Sequence, residues 1–280
     1  MPVDHYENFP VASLLLPRRL RRPIEVIYRF ARSADDIADE GDAAGEERLR
    51  GLRGYVEELD RLSRGLAAQT PLFRELGVVV QTWALPLEPF YDLLSAFAQD
   101  VSVRRYADYE TLGDYCRRSA NPVGRLVLAL NGRSDAASLE YSDAICTALQ
   151  LINFWQDIGI DWKKGRVYLP QSEMARFGIG EEGIARAAGP DAPGMPPEWE
   201  AQWKALIAAQ LDYAQALLLR GAPLARQLPG RLGWEIRLTV QGGQRIIEKI
   251  RAVSGDVFHH RPVLGARDWI LMALRAARMR

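Results

Sequence analysis

Residues Leu149–Pro170 read LQLINFWQDIGIDWKKGRVYLP, and within this stretch Asn153, Asp157 and Asp161 recur at steps of four. Residues four apart on an α-helix lie on the same face, so the spacing predicts a row of three oxygen-bearing side chains. The surrounding positions are mostly apolar, which predicts a helix that is buried on nearly every side. Because a buried carboxylate is costly without a partner, the row indicates a bound metal ion or cation.

A second acidic stretch, Asp35-Asp36-Ile37-Ala38-Asp39, lies far upstream, and we expect it to face the first. Chance alone gives about four or five carboxylate pairs at this spacing from the 36 acids, so one pair indicates only a solvated helix face. Here each stretch also has basic neighbours, Arg32 before the upstream acids and Lys163, Lys164 and Arg166 after Asp161. These cations suit either a polyphosphate ligand or ordinary surface ion pairs.

The donor atoms in both stretches are hard oxygens, with no His or Cys among them. Carboxylate and amide oxygens favour Mg²⁺, which shares its coordination sphere with water and phosphate. Metal ions, arginines and an apolar interior together suit an allylic diphosphate, whose carbocation needs a dry, aromatic pocket. We expect Tyr28, Phe30, Phe154 and Trp155 to line part of that pocket. Structural ion pairs, or another metal-dependent helical enzyme, remain open at this point.

The composition excludes several classes of protein. The 280 residues are 48% hydrophobic, enough for a large core, and 36 basic residues balance 36 acidic ones, which argues against nucleic-acid binding. Cys116 and Cys146 belong to no zinc pattern and suggest a reducing cytosol. The first residues do not resemble a signal peptide, and no apolar run reaches the length of a bilayer, so we expect a soluble or peripheral protein.

Apolar residues recur at helical spacing along the whole chain, and almost no alternating strand pattern occurs. We therefore predict a single all-α domain spanning residues 1–280. The predicted helices are 23–41, 48–65, 72–82, 90–103, 109–120, 123–131, 139–161, 199–221, 232–254 and 263–280.

With these residues laid out, the sequence resembles the squalene/phytoene synthase family over nearly its whole length. The stretch Tyr28–Asp39 looks like the first aspartate-rich motif of that family, and Tyr115–Gly124 looks like its middle signature. Residues Gln150–Pro170 look like its second aspartate-rich motif. The resemblance implies a terpenoid-synthase fold with a central apolar cavity.

The resemblance also implies the residues of the site. It implies two or three Mg²⁺ ions at catalytic carboxylates and one amide: Asp35, Asp39, Asn153, Asp157 and Asp161. It implies substrate or diphosphate contacts at six further positions: His5, Asn8, Tyr28, Arg32, Gln150 and Arg166.

Within the family, the chain most resembles the hydroxysqualene-forming branch of the bacterial hopanoid pathway. The similar stretches are Asn8–Ser13, Ala120–Arg125 and Asn153–Asp157. This implies presqualene diphosphate as the substrate, water as the second reactant and no NADPH. It also implies functional coupling to a presqualene diphosphate synthase and a flavin desaturase or reductase. From cysteine usage and charge balance we expect a cytoplasmic location, with peripheral contact on the inner face of the membrane as an option, and no nucleic acid as a partner.

The chain departs from the family pattern at three places. Many members carry Arg where this chain has Gln156, and Glu where it has Ile160. A tyrosine that is frequent in the late helix is replaced by Gly242-Gly243. We interpret the lost cation and acid as signs of a site that holds one diphosphate rather than two.

Other functions remain as alternatives. Within the family these are a presqualene diphosphate synthase, a squalene synthase and a phytoene-type synthase, which condense two prenyl diphosphates. A different class is a noncatalytic helical assembly protein. We expect a surface or capping role for His259 and His260. The terminal stretch Trp269–Arg280 either packs on the fold or contacts an anionic membrane.

Overall fold

The computed structural model describes residues 17–189 and 195–279, and these residues are almost entirely helical. The described part of the chain contains no strand, only one isolated β-bridge between Arg105 and Val167. The all-α prediction is therefore confirmed. The helices are α1 (Arg18–Asp39), α2 (Gly45–Ser63), α3 (Pro71–Trp83), α4 (Glu88–Asp100), α5 (Tyr109–Ser119), α6 (Asn121–Leu130), α7 (Ala136–Lys163), α8 (Gln171–Arg176), α9 (Glu181–Ala187), α10 (Pro197–Gly221), α11 (Leu224–Gln227), α12 (Gly230–Ala252) and α13 (Ala266–Arg278).

The described residues form two compact units that are interleaved along the sequence. The first unit comprises 17–103 and Gly113–Cys146, and the second comprises Arg104–Leu112, 147–189 and 195–279. Of the three boundaries between these units, two fall within helices, one in α5 and one in α7, and the third follows α4. The single-domain expectation stays a prediction.

Aromatic residues fill the core of the first unit. Phe30 on α1 is fully buried and makes edge-to-face contacts with Phe73, at a centroid distance of 5.7 Å, and Phe90, at 5.2 Å. Tyr55 on α2 completes the cluster, with its ring centroid 5.0 Å from that of Phe73. Such pairs stabilise a core beyond the area that they bury. They hold α1, and with it the first acidic stretch, against three neighbouring helices.

Close helix packing at Gly243 organises the second unit. A Cβ atom at this position would lie 2.9 Å from Leu218 Cδ2 of α10 and 3.1 Å from Leu149 Cδ2 of α7. Glycine normally weakens a helix by about 1 kcal/mol relative to alanine. Here the packing against two neighbouring helices offsets that cost, and α12 runs through Gly242-Gly243 without a break, as predicted.

Most predicted helices agree with the structure to within a few residues, and α1 shows the largest error. It was predicted to begin at Pro23, the position where proline is best tolerated, but it begins at Arg18. Leu20 in the additional turn is fully buried, so core packing extends the helix past the proline. The short helices α8, α9 and α11 were not predicted, because four to seven residues are too few to show a helical period.

The last helix, α13, is tied to α12 through one buried carboxylate. Asp268 accepts hydrogen bonds from Arg245 Nε at 2.7 Å, from Lys249 Nζ at 2.5 Å and from the backbone N–H of Gly265 at 2.8 Å. The backbone hydrogen bond from Gly265, followed by the Lys249 and Arg245 contacts, lowers the pKa of Asp268 below its usual range. None of the helices within 17–189 and 195–279 has the length and apolar character needed to cross a membrane.

We predict that Asp268→Asn lowers the free energy of unfolding by about 2 kcal/mol at pH 7, because it weakens charge-assisted hydrogen bonds. Denaturant unfolding of both proteins across the acidic pH range measures the effect. Folding lowers the pKa of Asp268. The wild type's advantage in the free energy of unfolding is therefore complete above the unfolded-state pKa of about 3.9. The advantage should shrink as the pH falls below that value. Equal stabilities at pH 7 would contradict the prediction.

Candidate active site

The first acidic stretch lies at the C-terminal end of α1, where Asp35, Asp36 and Asp39 are all half-buried. Arg32 lies one turn before them, and its guanidinium nitrogens are 3.3 Å from Asp35 Oδ2 and 2.7 Å from Asp36 Oδ1. It also contacts Glu40 at 2.7 Å. Burial opposes the charge of Arg32, but the attraction of Asp36, Asp35 and Glu40 outweighs it and raises the arginine's pKa. This end of α1 therefore presents several carboxylates around one fixed cation.

Arg48 of α2 fixes the turn that follows this stretch. Its guanidinium donates hydrogen bonds to the carbonyl oxygens of Ile37 at 3.1 Å, Gly41 at 2.6 Å and Ala43 at 2.9 Å. A cation that binds the last carbonyls of a helix satisfies groups without intrahelical partners. Gly41 has a φ of +75°, a conformation that glycine adopts at little cost. The chain therefore ends α1 in a defined geometry directly after Asp39.

The second acidic stretch lies on α7, the longest helix of the described residues. Asn153, Asp157 and Asp161 share one face, as the spacing predicted, and all three are half-buried. On the other sides Trp155 is fully buried and Ile158 is 7% exposed. The prediction of a helix buried on nearly every side holds for this segment except at Ile160, which is exposed.

The chain turns back on itself directly after α7. The backbone N–H of Arg166 donates to the carbonyl oxygen of Asp161 at 2.8 Å, and that of Val167 donates to Arg104 at 3.0 Å. Tyr168 stacks on Phe154 with a centroid distance of 3.7 Å and an interplanar angle of 4°. Arg166 is only 8% exposed. Arg166, the cation that follows the acidic row in the sequence, is therefore buried close to Asp161, the last residue of the row.

A second cation contacts the middle of the row and comes from a distant part of the chain. Arg261 Nε lies 2.5 Å from Asp157 Oδ1, and its Nη2 lies 3.1 Å from Asp157 Oδ2. This two-point pairing is the strong form of an arginine–carboxylate contact. The two side chains are 19% and 25% exposed, so water screens their attraction less than at an open surface. No pattern in the sequence indicates a role for Arg261 in the site.

Three contacts hold the segment that carries Arg261, residues 253–262. The fully buried Gln156 donates a hydrogen bond from its amide to the carbonyl oxygen of Pro262. Trp203 of α10 donates to the carbonyl oxygen of Gly255 at 2.9 Å. Gly159 of α7 has no side chain, so the backbone of Phe258 packs closely against it. A Cβ atom at position 159 would lie 3.4 Å from the Cα atom of Phe258. The position of Arg261 is therefore fixed by buried packing on α7 and α10.

His259 and His260 lie beside Arg261 but are directed differently. Both are exposed, and their Nδ1 atoms lie 3.0 Å from the carboxylate oxygens of Asp256. The predicted surface role for the two histidines is confirmed.

The remaining predicted residues fall into three groups. Tyr28 and Gln150 are half-buried on α1 and α7. His5 and Asn8 lie outside the described residues. The expectation that Phe30 and Trp155 line the dry aromatic pocket is wrong, because both side chains are fully buried, Phe30 in the aromatic core of the first unit.

The two acidic stretches belong to different units, Asp35 and Asp39 to the first and the row on α7 to the second. That the two stretches face each other stays a prediction. Within the described residues, no three His, Cys, Asp or Glu side chains converge as a ready-made metal site. Half-buried carboxylates and one amide nevertheless fit Mg²⁺, because this ion takes one or two protein carboxylates and completes its shell with water and phosphate.

Comparison with known proteins gives a consistent result. Residues 3–268 match the family model of squalene/phytoene synthase. A hydroxysqualene synthase of Rhodopseudomonas palustris is 34% identical over 261 residues, which are 92% of this chain and 84% of that protein. A presqualene diphosphate synthase of the same species is 35% identical over 173 residues, 61% of each chain.

A solved structure agrees with these sequence matches. The crystal structure of squalene synthase HpnC from Alicyclobacillus acidocaldarius superposes with a TM-score of 0.79 at 40% identity, covering 90% of this chain and 91% of that one. The family match spans far more than half of the chain, and the resemblance seen in its motifs is confirmed. The chain belongs to the squalene/phytoene synthase family and has its all-α isoprenoid-synthase fold.

Proposed function

We propose that this enzyme converts presqualene diphosphate and water to hydroxysqualene and diphosphate in squalene and hopanoid biosynthesis. The observation that carries the proposal is the row of Asn153, Asp157 and Asp161 with Arg261 fixed against its middle member. Oxygen ligands next to an immobilised guanidinium suit a metal-bound diphosphate. Similarity to a hydroxysqualene synthase over 92% of the chain supports the choice of reaction.

In this proposal each set of residues has a distinct task. Bound Mg²⁺ would neutralise the diphosphate and so make it a better leaving group. Two or three ions would be held by five oxygen-bearing side chains: Asp35, Asp39, Asn153, Asp157 and Asp161. Substrate and diphosphate contacts would come from His5, Asn8, Tyr28, Arg32, Gln150, Arg166 and Arg261. Fixed arginines stabilise the negative charge that builds up on the departing group.

The proposed reaction needs no reductant. The carbon–oxygen bond to the diphosphate breaks, and the electron pair leaves with the diphosphate. The resulting cyclopropylcarbinyl cation rearranges, and a carbon–carbon bond of the three-membered ring breaks as the oxygen atom of water bonds to the cationic carbon. The oxonium ion then loses a proton to give the acyclic alcohol. Atoms and charge balance without hydride, so the proposal assigns no role to NADPH.

The alternatives differ in substrate. A presqualene diphosphate synthase, a squalene synthase or a phytoene-type synthase would condense two prenyl diphosphates. The 35% identity to a presqualene diphosphate synthase favours the first of these as the second candidate. A noncatalytic helical assembly protein would show no turnover with any of these substrates.

We place the enzyme in the cytoplasm, with its substrate supplied by a presqualene diphosphate synthase and its product passed to a flavin desaturase or reductase. No nucleic acid takes part. Substrate and product are both C30 chains, which favours peripheral contact with a membrane.

With presqualene diphosphate and Mg²⁺, we expect one hydroxysqualene and one diphosphate per turnover, measured by mass spectrometry and phosphate analysis. Addition of NADPH should leave the product unchanged, because the alcohol requires no hydride. Farnesyl diphosphate with Mg²⁺ should give no C30 product, because the site is proposed to hold one diphosphate. Formation of presqualene diphosphate or squalene from farnesyl diphosphate would refute this assignment in favour of a condensing enzyme.

We predict that Asp157→Asn lowers kcat/KM for presqualene diphosphate by about 10²- to 10³-fold. The substitution replaces a charged ligand of the proposed Mg²⁺, beside the diphosphate leaving group, with a neutral amide. Calorimetry should also show weaker Mg²⁺ binding in the presence of diphosphate. Asp212→Asn is the matched control, since Asp212 also pairs with an arginine, Arg251, at 2.6 Å but lies on the surface of α10. Near-normal turnover by the Asp157 variant, with helix content intact, would contradict a catalytic role for Asp157.

For Arg261→Gln we expect kcat/KM to fall by about 10- to 100-fold, the equivalent of one charge-assisted hydrogen bond. Inhibition by inorganic diphosphate should weaken in the same proportion, because the variant lacks a phosphate cation. Arg251→Gln serves as the control, since it breaks the exposed pair with Asp212. A variant that loses thermal stability but keeps normal inhibition by diphosphate would show that Arg261 only neutralises Asp157.

A further inference from the structure

The exposed apolar residues of the described chain are concentrated near its C-terminus. Ten large hydrophobic residues are exposed in the described ranges, and four of them lie within twelve consecutive positions: Val263, Trp269, Ile270 and Leu274. The other six are spread over five separate helices or turns. Isolated exposed apolar residues need no explanation, whereas a group of them marks an interaction surface.

Helix α13 presents this group on one defined face. Asp268, Met272 and Ala276 form its buried side, at the spacing of four expected for one face. On the opposite side Ile270 and Leu274 are 64% and 54% exposed. Arg267 lies three residues before Ile270 and Arg278 four residues after Leu274, on the same side of the helix, and both are exposed. We call these four residues the α13 outer face; Trp269, which is 38% exposed, lies outside it, nearer the buried side of the helix.

The α13 outer face carries positive charge and no acid. Asp268 is the one acidic residue of α13, and it is 6% exposed and bound to Arg245 and Lys249 of α12. Arg275 pairs with Glu248 of α12 at 2.6 Å, which holds the helix from a second point. These ion pairs keep the inner side of α13 on α12, so the outer face cannot turn inward.

We propose that the α13 outer face docks on a bilayer that contains anionic lipid. Exposed apolar side chains flanked by arginines are suited to the boundary between headgroups and acyl chains. Each arginine adds attraction to a negative lipid surface. A symmetric contact with a second copy fits less well, because a twofold axis would oppose arginines to arginines with no acid between them.

The proposal is independent of the reaction, because it can be tested without substrate. Flotation of the full-length protein is measured with vesicles of phosphatidylcholine containing phosphatidylglycerol, and with phosphatidylcholine alone. We expect binding to the anionic vesicles and at least tenfold weaker binding to the neutral ones. Arg267→Gln with Arg278→Gln should weaken anionic binding by about 25-fold, at about fivefold for each arginine near the surface. Ile270→Ser with Leu274→Ser should reduce it by more than tenfold.

Leu219→Ser is the matched control, because Leu219 on α10 is 55% exposed and Leu274 is 54% exposed. This variant should bind vesicles like the wild type. Circular dichroism melting shows whether each variant is folded, and sedimentation analysis without lipid reports self-association. The proposal is overturned if the wild type does not bind anionic vesicles, or if the Ile270/Leu274 variant binds equally well. It is also overturned if that variant converts a wild-type dimer to a monomer without changing vesicle binding.

Discussion

The ion pair between Asp157 and Arg261 joins residues 104 positions apart in the chain, and the acidic face of α7 depends on it. Asp157 lies on a helix whose other sides are buried, where an unpaired carboxylate would be costly. The fold meets this requirement with a guanidinium from residues 253–262. The contacts that hold this segment, at Gln156 and Trp203, therefore maintain the core and the charge balance of the site together.

The two acidic stretches balance their charges by different means. On α1 the cation is local, since Arg32 contacts carboxylates three and four positions later in the same helix. On α7 the cation beside Asp157 comes from a separate segment, and the arrangement depends on tertiary packing at Gly159. A local pair forms wherever the helix forms. The distant pair requires the folded second unit, so changes in the loop after α12 should affect the α7 face without altering α7 itself.

This difference explains what the sequence could predict. Periods of three and four residues predicted the main helices and the shared face of Asn153, Asp157 and Asp161, because helix geometry alone determines them. The role of Arg261 could not be predicted, since no local pattern links it to Asp157. The one signal in the sequence was that Asp157, as a carboxylate on a buried helix, needs a cation beside it. Likewise, the sequence could place Phe30 near Tyr28 but could not distinguish a pocket lining from an aromatic core.

The departures from the family pattern gain a physical meaning from these contacts. Gln156 is neutral and fully buried, and its amide is used to hold Pro262, so this position supplies structure rather than charge. The neighbouring Arg261 then provides the guanidinium beside Asp157. A family member with arginine at position 156 would gain a positive charge in this part of α7, where this chain has none. Because Arg261 already supplies a guanidinium beside Asp157, a site for one diphosphate rather than two stays a prediction from the sequence.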